Sequence, residues 1–285
     1  MKNKICVVTG ATAGIGKATA RALAEQGAQV VVVGRNADKC KATIAEIKVQ
    51  TGNTNVDFAL ADLSSQRDVR RLADELRSRY SRIDILVNNA GAFFDKRRES
   101  ADGIEMTFAL NHLNYFLLTN LLLDALKAAP AARVVNVSSA AHWMGWRGID
   151  FDDIEGKKRY NGWVAYGQSK LANVMFTYEL ARRLQGTSVT VNVLHPGTVR
   201  TNFGRTDGNR SLPTPLRKMI DLFLIGIEEG AKTSIYLASS PDVERVTGQY
   251  FVNCKPASTS SVSKDKAAGE RLWMLSEEMI SSRQT

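Results

Sequence analysis

Short runs rich in β-branched residues alternate along the chain with longer stretches whose apolar positions recur at helical spacing. ICVVT at 5–9 precedes a helical stretch at 17–26, VVVVG at 30–34 precedes one at 37–50, and VDFAL at 56–60 precedes one at 66–80. DILVN at 84–88, a long helical stretch, RVVNVSS at 133–139, a helix around Tyr166 and VTVNVL at 189–194 continue the alternation. The strand segments read as near-continuous apolar runs, as strands covered on both faces require. The pattern predicts an α/β fold, a doubly wound parallel sheet of seven strands with helices on both faces. No Pro- or Ser-rich linker divides the first 200 residues, so residues 1–285 read as a single domain.

After Pro196 the regularity loosens. Gly and Pro punctuate 198–226 around an amphipathic piece at 216–225, and a segment of this length in a compact domain reads as a mobile loop over a substrate site. A helix at 228–239, a last strand QYFVN at 249–253 and a tail from about residue 255, helical at 266–280, complete the predicted elements.

With 44% hydrophobic and 24% charged residues, a chain of 285 residues can bury a sizeable core. The net charge of +9 is spread along the sequence, with short clusters only at 96–98 and 157–159, so no nucleic-acid partner is predicted. A diffuse positive field instead favours an anionic cofactor by steering it. Cys6, Cys40 and Cys254 lack zinc or redox spacing and read as free thiols, and His112, His142 and His195 lack metal-ligand spacing, so no metal is predicted. The start, MKNKICVVTG, fits neither a secretory leader nor a membrane span, and a cytoplasmic location is expected.

Candidate chemistry concentrates at the ends of the strands. Gly10, Thr12, Ala13, Gly14, Ile15 and Gly16 stand between the first strand and the first helix, where a dinucleotide-binding turn must lie. Glycines there let the backbone approach a pyrophosphate, whose charge then meets the helix N-terminus. At the tip of the second strand, the place of an NAD-binding acid is taken by Arg35 and Asn36. Arg35 can make charge-assisted hydrogen bonds to a 2′-phosphate, which predicts NADP(H) over NAD(H), with Lys39 assisting from the next helical turn. Asp62 and Leu63 follow the third strand, and Asn88, Asn89, Ala90 and Gly91 the fourth, both at the sheet edge where ligands bind. The asparagines have the alternative role of stabilising a turn.

Of the seven tyrosines, only Tyr166 has a lysine four residues on, Lys170, which places a phenol and an ammonium on one helical face. A positive charge beside a phenol favours phenolate and makes it a proton donor and acceptor nearer neutral pH. TGATAGIG, NNAG, NVSS and YGQSK occur in that order, and together they resemble the short-chain dehydrogenase/reductase family over roughly residues 4 to 255. The stretch from Ser138 to Leu184 and the later VLHPGTVRTNF are most similar to retinol dehydrogenases and their relatives, protochlorophyllide reductases among them.

The resemblance implies a Rossmann fold and assigns roles by residue. Tyr166 would be the general acid for a substrate carbonyl, Lys170 would lower its pKa and hold the nicotinamide ribose, and Ser139 would hydrogen-bond the same carbonyl oxygen. Ser138 is the weaker candidate for that bond. Asn111 would help organise a water that completes a proton path through Lys170. Pro196, Gly197 and Val199 would line the nicotinamide carboxamide and Thr201 a phosphate, with His195 structural. Family members often pair through helices flanking the sheet, so a homodimer or homotetramer is implied.

The sequence departs from compact members of that family in one place. Between Ser139 and Tyr166 lie 26 residues containing His142, Trp143, Met144, Trp146, Phe151, Ile154 and Trp163. This insert either lines a large apolar pocket or packs a loop against a helix. The expected function is NADP(H)-dependent interconversion of a carbonyl and an alcohol, on a lipophilic or aromatic small molecule. The alternatives are a non-catalytic NADPH-binding sensor or scaffold, and an enzyme of the protochlorophyllide reductase kind.

Overall fold

Residues 1–197 and 226–281 are described by the structure, a computed structural model of the chain. The expected loop at 198–226 and its helical piece, with Val199 and Thr201, lie outside the described residues apart from Gly226. The strands are β1 (Ile5–Thr9), β2 (Gln29–Gly34), β3 (Val56–Leu60), β4 (Ile85–Asn88), β5 (Ala132–Val137), β6 (Val189–His195), β7 (Tyr250–Val252) and β8 (Lys255–Pro256). They form one sheet in the order β3-β2-β1-β4-β5-β6-β7-β8, parallel from β3 to β7.

The sheet has eight strands where seven were expected. β8 pairs antiparallel with β7 across a two-residue turn in which Asn253 and Cys254 both take left-handed backbone angles, φ 50° and 60°. Such hairpin turns are signalled in sequence by glycine at the second position, and the cysteine there hides this one. The Cys254 amide donates to Thr233 Oγ1 at 3.2 Å, which fixes the turn to the body of the fold.

Alternate strand residues feed two cores. Val7, Val31, Val33, Leu86, Val134 and Val191 pack on one face, against α3 (Gln66–Arg79), α5 (Asn114–Leu121) and α7 (Gly162–Arg183). Cys6, Val8, Val30, Val32, Ile85 and Val87 pack on the other, against α1 (Gly14–Glu25), α2 (Ala37–Thr51) and a helix we number α8 (Ile227–Ser239). Each fully buried valine or leucine contributes about 2 kcal/mol relative to exposure. This two-sided burial explains why the strands read as unbroken apolar runs. Side-chain caps start several helices at polar positions: Asn36 Oδ1 accepts from Lys39 N at 2.9 Å, and Asn161 Oδ1 from Trp163 N and Val164 N at 3.0 and 3.1 Å.

After β4 the chain forms a short turn α4 (Met106–Phe108), a π-helical turn (Ala109–Leu113), α5, and α6 (Leu123–Lys127). The C-terminal helix, α9 (Lys266–Ser281), lies against α7: Trp273 packs on Phe116 and Phe176 with ring centroids 4.8 and 5.9 Å apart. Its last turn is held by α3, with Gln66 Nε2 donating to Met279 O at 3.0 Å and Arg70 Nη2 to Ile280 O at 2.9 Å. Among the described residues no helix is long and apolar enough to cross a membrane.

Candidate active site

Strand order reverses direction between β1 and β4, and the segments leaving the carboxyl ends of β1, β4, β5 and β6 meet at that edge. The turn after β1 is shaped by absent side chains. A Cβ on Gly16 would lie 2.4 Å from Asn89 Nδ2 and 2.5 Å from Gly10 O, so backbone would have to move. Gly16→Ala is therefore expected to cost ~2 kcal/mol through overpacking and to lower the melting temperature by about 5 °C. Scanning calorimetry checks this, and an unchanged transition would mean the turn yields without cost.

Ala13 begins α1 without a side-chain cap, and no acidic residue occupies the first turn. Gly14, Ile15 and Gly16 thus carry the unpaired amides of a helix start, a site that suits a phosphate. Thr12 borders the same turn, its carbonyl accepting from Thr43 Oγ1 at 3.5 Å.

Asn89 has a structural task. Its Nδ2 donates to Thr9 O and Gly10 O at 2.8 and 3.3 Å, while Asn89 N and Ala90 N donate to Thr9 Oγ1 at 2.9 and 3.1 Å. Thr9, which sequence reasoning passed over, therefore ties the turn after β1 to the loop after β4. Asn88 is buried and donates to Thr119 Oγ1 and Asn136 Oδ1, each at 2.9 Å. Asp62 Oδ1 accepts from Ser64 N and Ser64 Oγ at 3.0 and 2.7 Å, and Leu63 is buried in the core. Asn36 is occupied as the cap of α2. Arg35 is exposed at the tip of β2 and has no ion-pair partner among the described residues.

At the reacting end, Tyr166 and Lys170 come together on α7. Tyr166 is 7% exposed and shares a hydrogen bond with Ser139. Lys170 Nζ lies 5.6 Å from the Tyr166 ring centroid and 5.9 Å from that of Tyr115, and donates to Val137 O at 3.2 Å. Ser138 Oγ instead donates to Lys170 O at 2.7 Å, which makes it a strut between β5 and α7. Gly91 keeps the space between the polar groups open, since a Cβ there would sit 3.1 Å from Asn111 Oδ1 and 3.3 Å from Lys170 Nζ.

The expected lowering of Tyr166 by Lys170 is not what the protein alone shows. Burial pushes the phenol up to about 12, with Ser139 pulling the other way, and burial brings Lys170 down to about 7. Desolvation disfavours both charged forms, and at the phenol it outweighs the pull of Ser139.

Asn111 sits in the π-helical turn, a local widening often found at functional sites. Its amide brackets Ala92, accepting from Ala92 N at 2.9 Å and donating to Ala92 O at 3.0 Å. The same Nδ2 donates to Ser169 Oγ at 3.0 Å, and Ser169 Oγ donates to Tyr166 O at 2.8 Å. Neighbouring His112 is fully buried, facing Asn173 Oδ1 at 3.3 Å and Ser276 Oγ at 3.0 Å.

Burial pushes His112 down to about 4, with no charged group among the causes. The folded protein thus prefers the neutral ring. Its contribution is complete above the ordinary histidine value of about 6.5 and is lost as pH falls towards 4, a loss on the order of 3 kcal/mol. Urea unfolding at pH 7 and pH 4.5 is expected to show a smaller difference for His112→Gln than for the parent chain.

The aromatic insert divides its residues between the two uses considered. Phe151 and Ile154 pack against Leu171, Met175 and Leu272, and His142 is buried with Nδ1 2.8 Å from Ser139 O. Trp143, Met144, Trp146 and Trp163 stay exposed, and Phe93 bridges Trp163 to Tyr166 with centroids 4.5 and 6.0 Å apart. His195 Nδ1 accepts from Ala140 N at 3.2 Å, so it braces the segment carrying Ser139. Pro196 and the left-handed Gly197, φ 84°, leave β6 beside it. All three cysteines are free, and among the described residues no cluster of three or more potential ligands could hold a metal ion.

The profile of the short chain dehydrogenase family matches residues 4–151 and 153–211. The chain belongs to this family of oxidoreductases. Retinol dehydrogenase 14 of Mus musculus is 43% identical over 291 residues, covering 98% of this chain and 86% of that protein, and the chain stands in the retinol dehydrogenase-like branch. A solved structure of an uncharacterized protein from Mycobacterium paratuberculosis superposes with a TM-score of 0.78 at 33% identity, covering 98% of this chain and 94% of that one. The RhlG/NADP active-site complex of Pseudomonas aeruginosa gives 0.70 at 31% identity, covering 88% and 94%.

Proposed function

We propose that this protein interconverts a carbonyl and an alcohol with NADP(H), acting on a lipophilic or aromatic aldehyde or ketone. The observation that carries the reading is Tyr166, hydrogen-bonded to Ser139 and one turn from Lys170, at the sheet edge that also bears the glycine turn. The Gly16 cradle, the uncapped start of α1 and the exposed Arg35 fit a dinucleotide bearing a 2′-phosphate. Gly10 to Gly16 would hold the pyrophosphate, with Thr201 offering a hydroxyl to phosphate, Arg35 the 2′-phosphate, Lys170 the nicotinamide ribose, and Pro196, Gly197 and Val199 the nicotinamide carboxamide. When bound, the cofactor supplies or accepts hydride.

The chain's own residues handle orientation and the proton. Ser139 and Tyr166 hydrogen-bond the substrate oxygen, and Tyr166 donates its phenolic proton to that oxygen in reduction. The proton is replaced through Lys170 and a water organised near Asn111. Trp163, packed on Phe93 beside Tyr166, and the exposed Trp143, Met144 and Trp146 of the same insert support an apolar substrate. The test is consumption of NADPH and NADH with retinaldehyde and 4-nitrobenzaldehyde. Turnover with NADPH at clearly higher kcat/KM supports the reading, and tight NADPH binding without turnover of any carbonyl overturns it.

A further inference from the structure

Four residues from three separate helices meet in a buried cluster behind the candidate site. Asn111, His112, Asn173 and Ser276 are all 0% exposed, surrounded by Phe108, Phe116 and Phe176. The directions of their hydrogen bonds can be worked out from donors and acceptors alone. Asn173 Nδ2 lies 2.9 Å from the main-chain carbonyl of Asn111, and a carbonyl can only accept, so this end of the amide is the NH2 group. The other end, Oδ1, then faces His112 Nδ1 at 3.3 Å. An amide oxygen also only accepts, so Nδ1 carries the ring proton. Burial keeps the ring neutral, which leaves a lone pair on Nε2 facing Ser276 Oγ at 3.0 Å. The Ser276 hydroxyl has one proton and two acceptors in reach, this lone pair and Leu272 O, to which it donates at 2.8 Å in the structure. Leu272 O keeps a place in the helix ladder without that proton, so the chain inferred below takes it on Nε2.

We infer that the C-terminal helix α9 acts on the proton path through a one-way chain, Ser276 to His112 to Asn173 to the carbonyl of Asn111, making His112 and Asn173 positioning residues for Asn111. This rests on the proposed role of Asn111 in relaying protons to Lys170. Asn111 is held at three points. Its side chain brackets Ala92 and reaches Ser169, and Ser169 lies between Tyr166 and Lys170, so a shift of Asn111 is felt by the reacting pair. The third point, Asn173, lies one helical turn beyond Lys170 on α7. Chains of hydrogen bonds in a low-dielectric interior polarise one another, and a broken member leaves the others unsatisfied. The far end of the chain is anchored, since α9 is gripped by Gln66 and Arg70 and by Arg183 stacked 4.1 Å over Trp273.

The experiment compares His112→Asn with His112→Gln in the full chain. An asparagine amide can reach the place of Nδ1 and keep the bond to Asn173, whereas a glutamine amide reaches the place of Nε2 and meets Ser276. We expect His112→Asn to keep kcat for 4-nitrobenzaldehyde with NADPH within about threefold. His112→Gln is expected to lose kcat about tenfold, with KM and NADPH affinity unchanged and similar melting temperatures for the two variants. Equal kcat in both, or losses that follow melting temperature alone, overturns the inference.

Ser276→Ala provides a second reading should either histidine variant fail to fold. Because it breaks the same Ser276–His112 link that His112→Asn breaks, it is expected to match that variant, with kcat about two- to threefold below the parent and a shifted pH profile; parental kcat and profile, or a loss as large as that of His112→Gln, overturns the inference. Tyr166→Phe, run alongside, separates the two levels. If it keeps normal turnover, the site reading fails and the inference with it. If it is inactive while the histidine pair behaves alike, only the inference fails.

Discussion

Tyr166→Phe is expected to lower kcat by about 10³ in both directions, the range that a positioned proton donor supplies, while NADPH affinity stays within about threefold. The substitution removes one oxygen and little else. Tyr166 is buried, its ring meets Phe93 edge to face, and phenylalanine preserves that contact, so the melting temperature should hardly move. The oxygen is the group that Ser139 hydrogen-bonds, and without it the carbonyl has a partner for position but none for protonation. The pH dependence should follow the direction of the shift. With the phenol pushed up to about 12, Tyr166 stays protonated through neutral pH, so reduction loses nothing to its ionisation. Alcohol oxidation, which needs the phenolate as base, should rise with pH over the same range. Single-turnover NADPH oxidation and a fluorescence titration of NADPH check both halves; turnover within tenfold of the parent would remove Tyr166 from the chemistry.

Arg35→Asp should reverse the proposed preference for NADP(H) over NAD(H). A charge-assisted hydrogen bond to phosphate contributes about 1.5–3 kcal/mol, or roughly 10- to 150-fold in affinity. The carboxylate adds repulsion towards a 2′-phosphate and offers an acceptor to a ribose hydroxyl. The ratio of kcat/KM for NADPH over NADH is expected to fall by roughly 10³. Arg35 is exposed and without an ion-pair partner among the described residues, so the fold should be indifferent to its loss. Steady-state kinetics with both cofactors decides the matter, and an unchanged ratio would shift attention to Lys39.

How far the chain could be read in advance depended on how local each feature is. The parallel sheet was legible because Val30 to Val33 and the other strand cores are apolar on both faces, a pattern carried by neighbouring residues. Tyr166 and Lys170 were legible because one helical turn separates them. β8 was not, since Cys254 gives no glycine signal for the left-handed angle it adopts. The role of Asn89 was split between cofactor and turn, and only its contacts with Thr9, eighty positions away, reveal the turn. His112, Asn173 and Ser276 show no shared spacing, because their meeting depends on how α9 docks against α7. The direction of the Tyr166 shift in the protein alone was hidden for a related reason. Sequence shows a nearby lysine but not the depth at which both groups lie, and that depth sets the direction of the shift.

Thr9 and Asn89 bind the two loops flanking the first and fourth strands into a single brace, and the tip of the second strand stands outside it. On the proposed reading, Arg35, which would set nucleotide preference, is no member of that brace, although Ala11 N donates to Val33 O at 3.2 Å and ties the glycine turn to the second strand. On that reading a change at position 35 would act on coenzyme choice while leaving the Thr9–Asn89 contacts in place, whereas a change at Thr9 or Asn89 would act on the shared pyrophosphate seat and so on either dinucleotide alike.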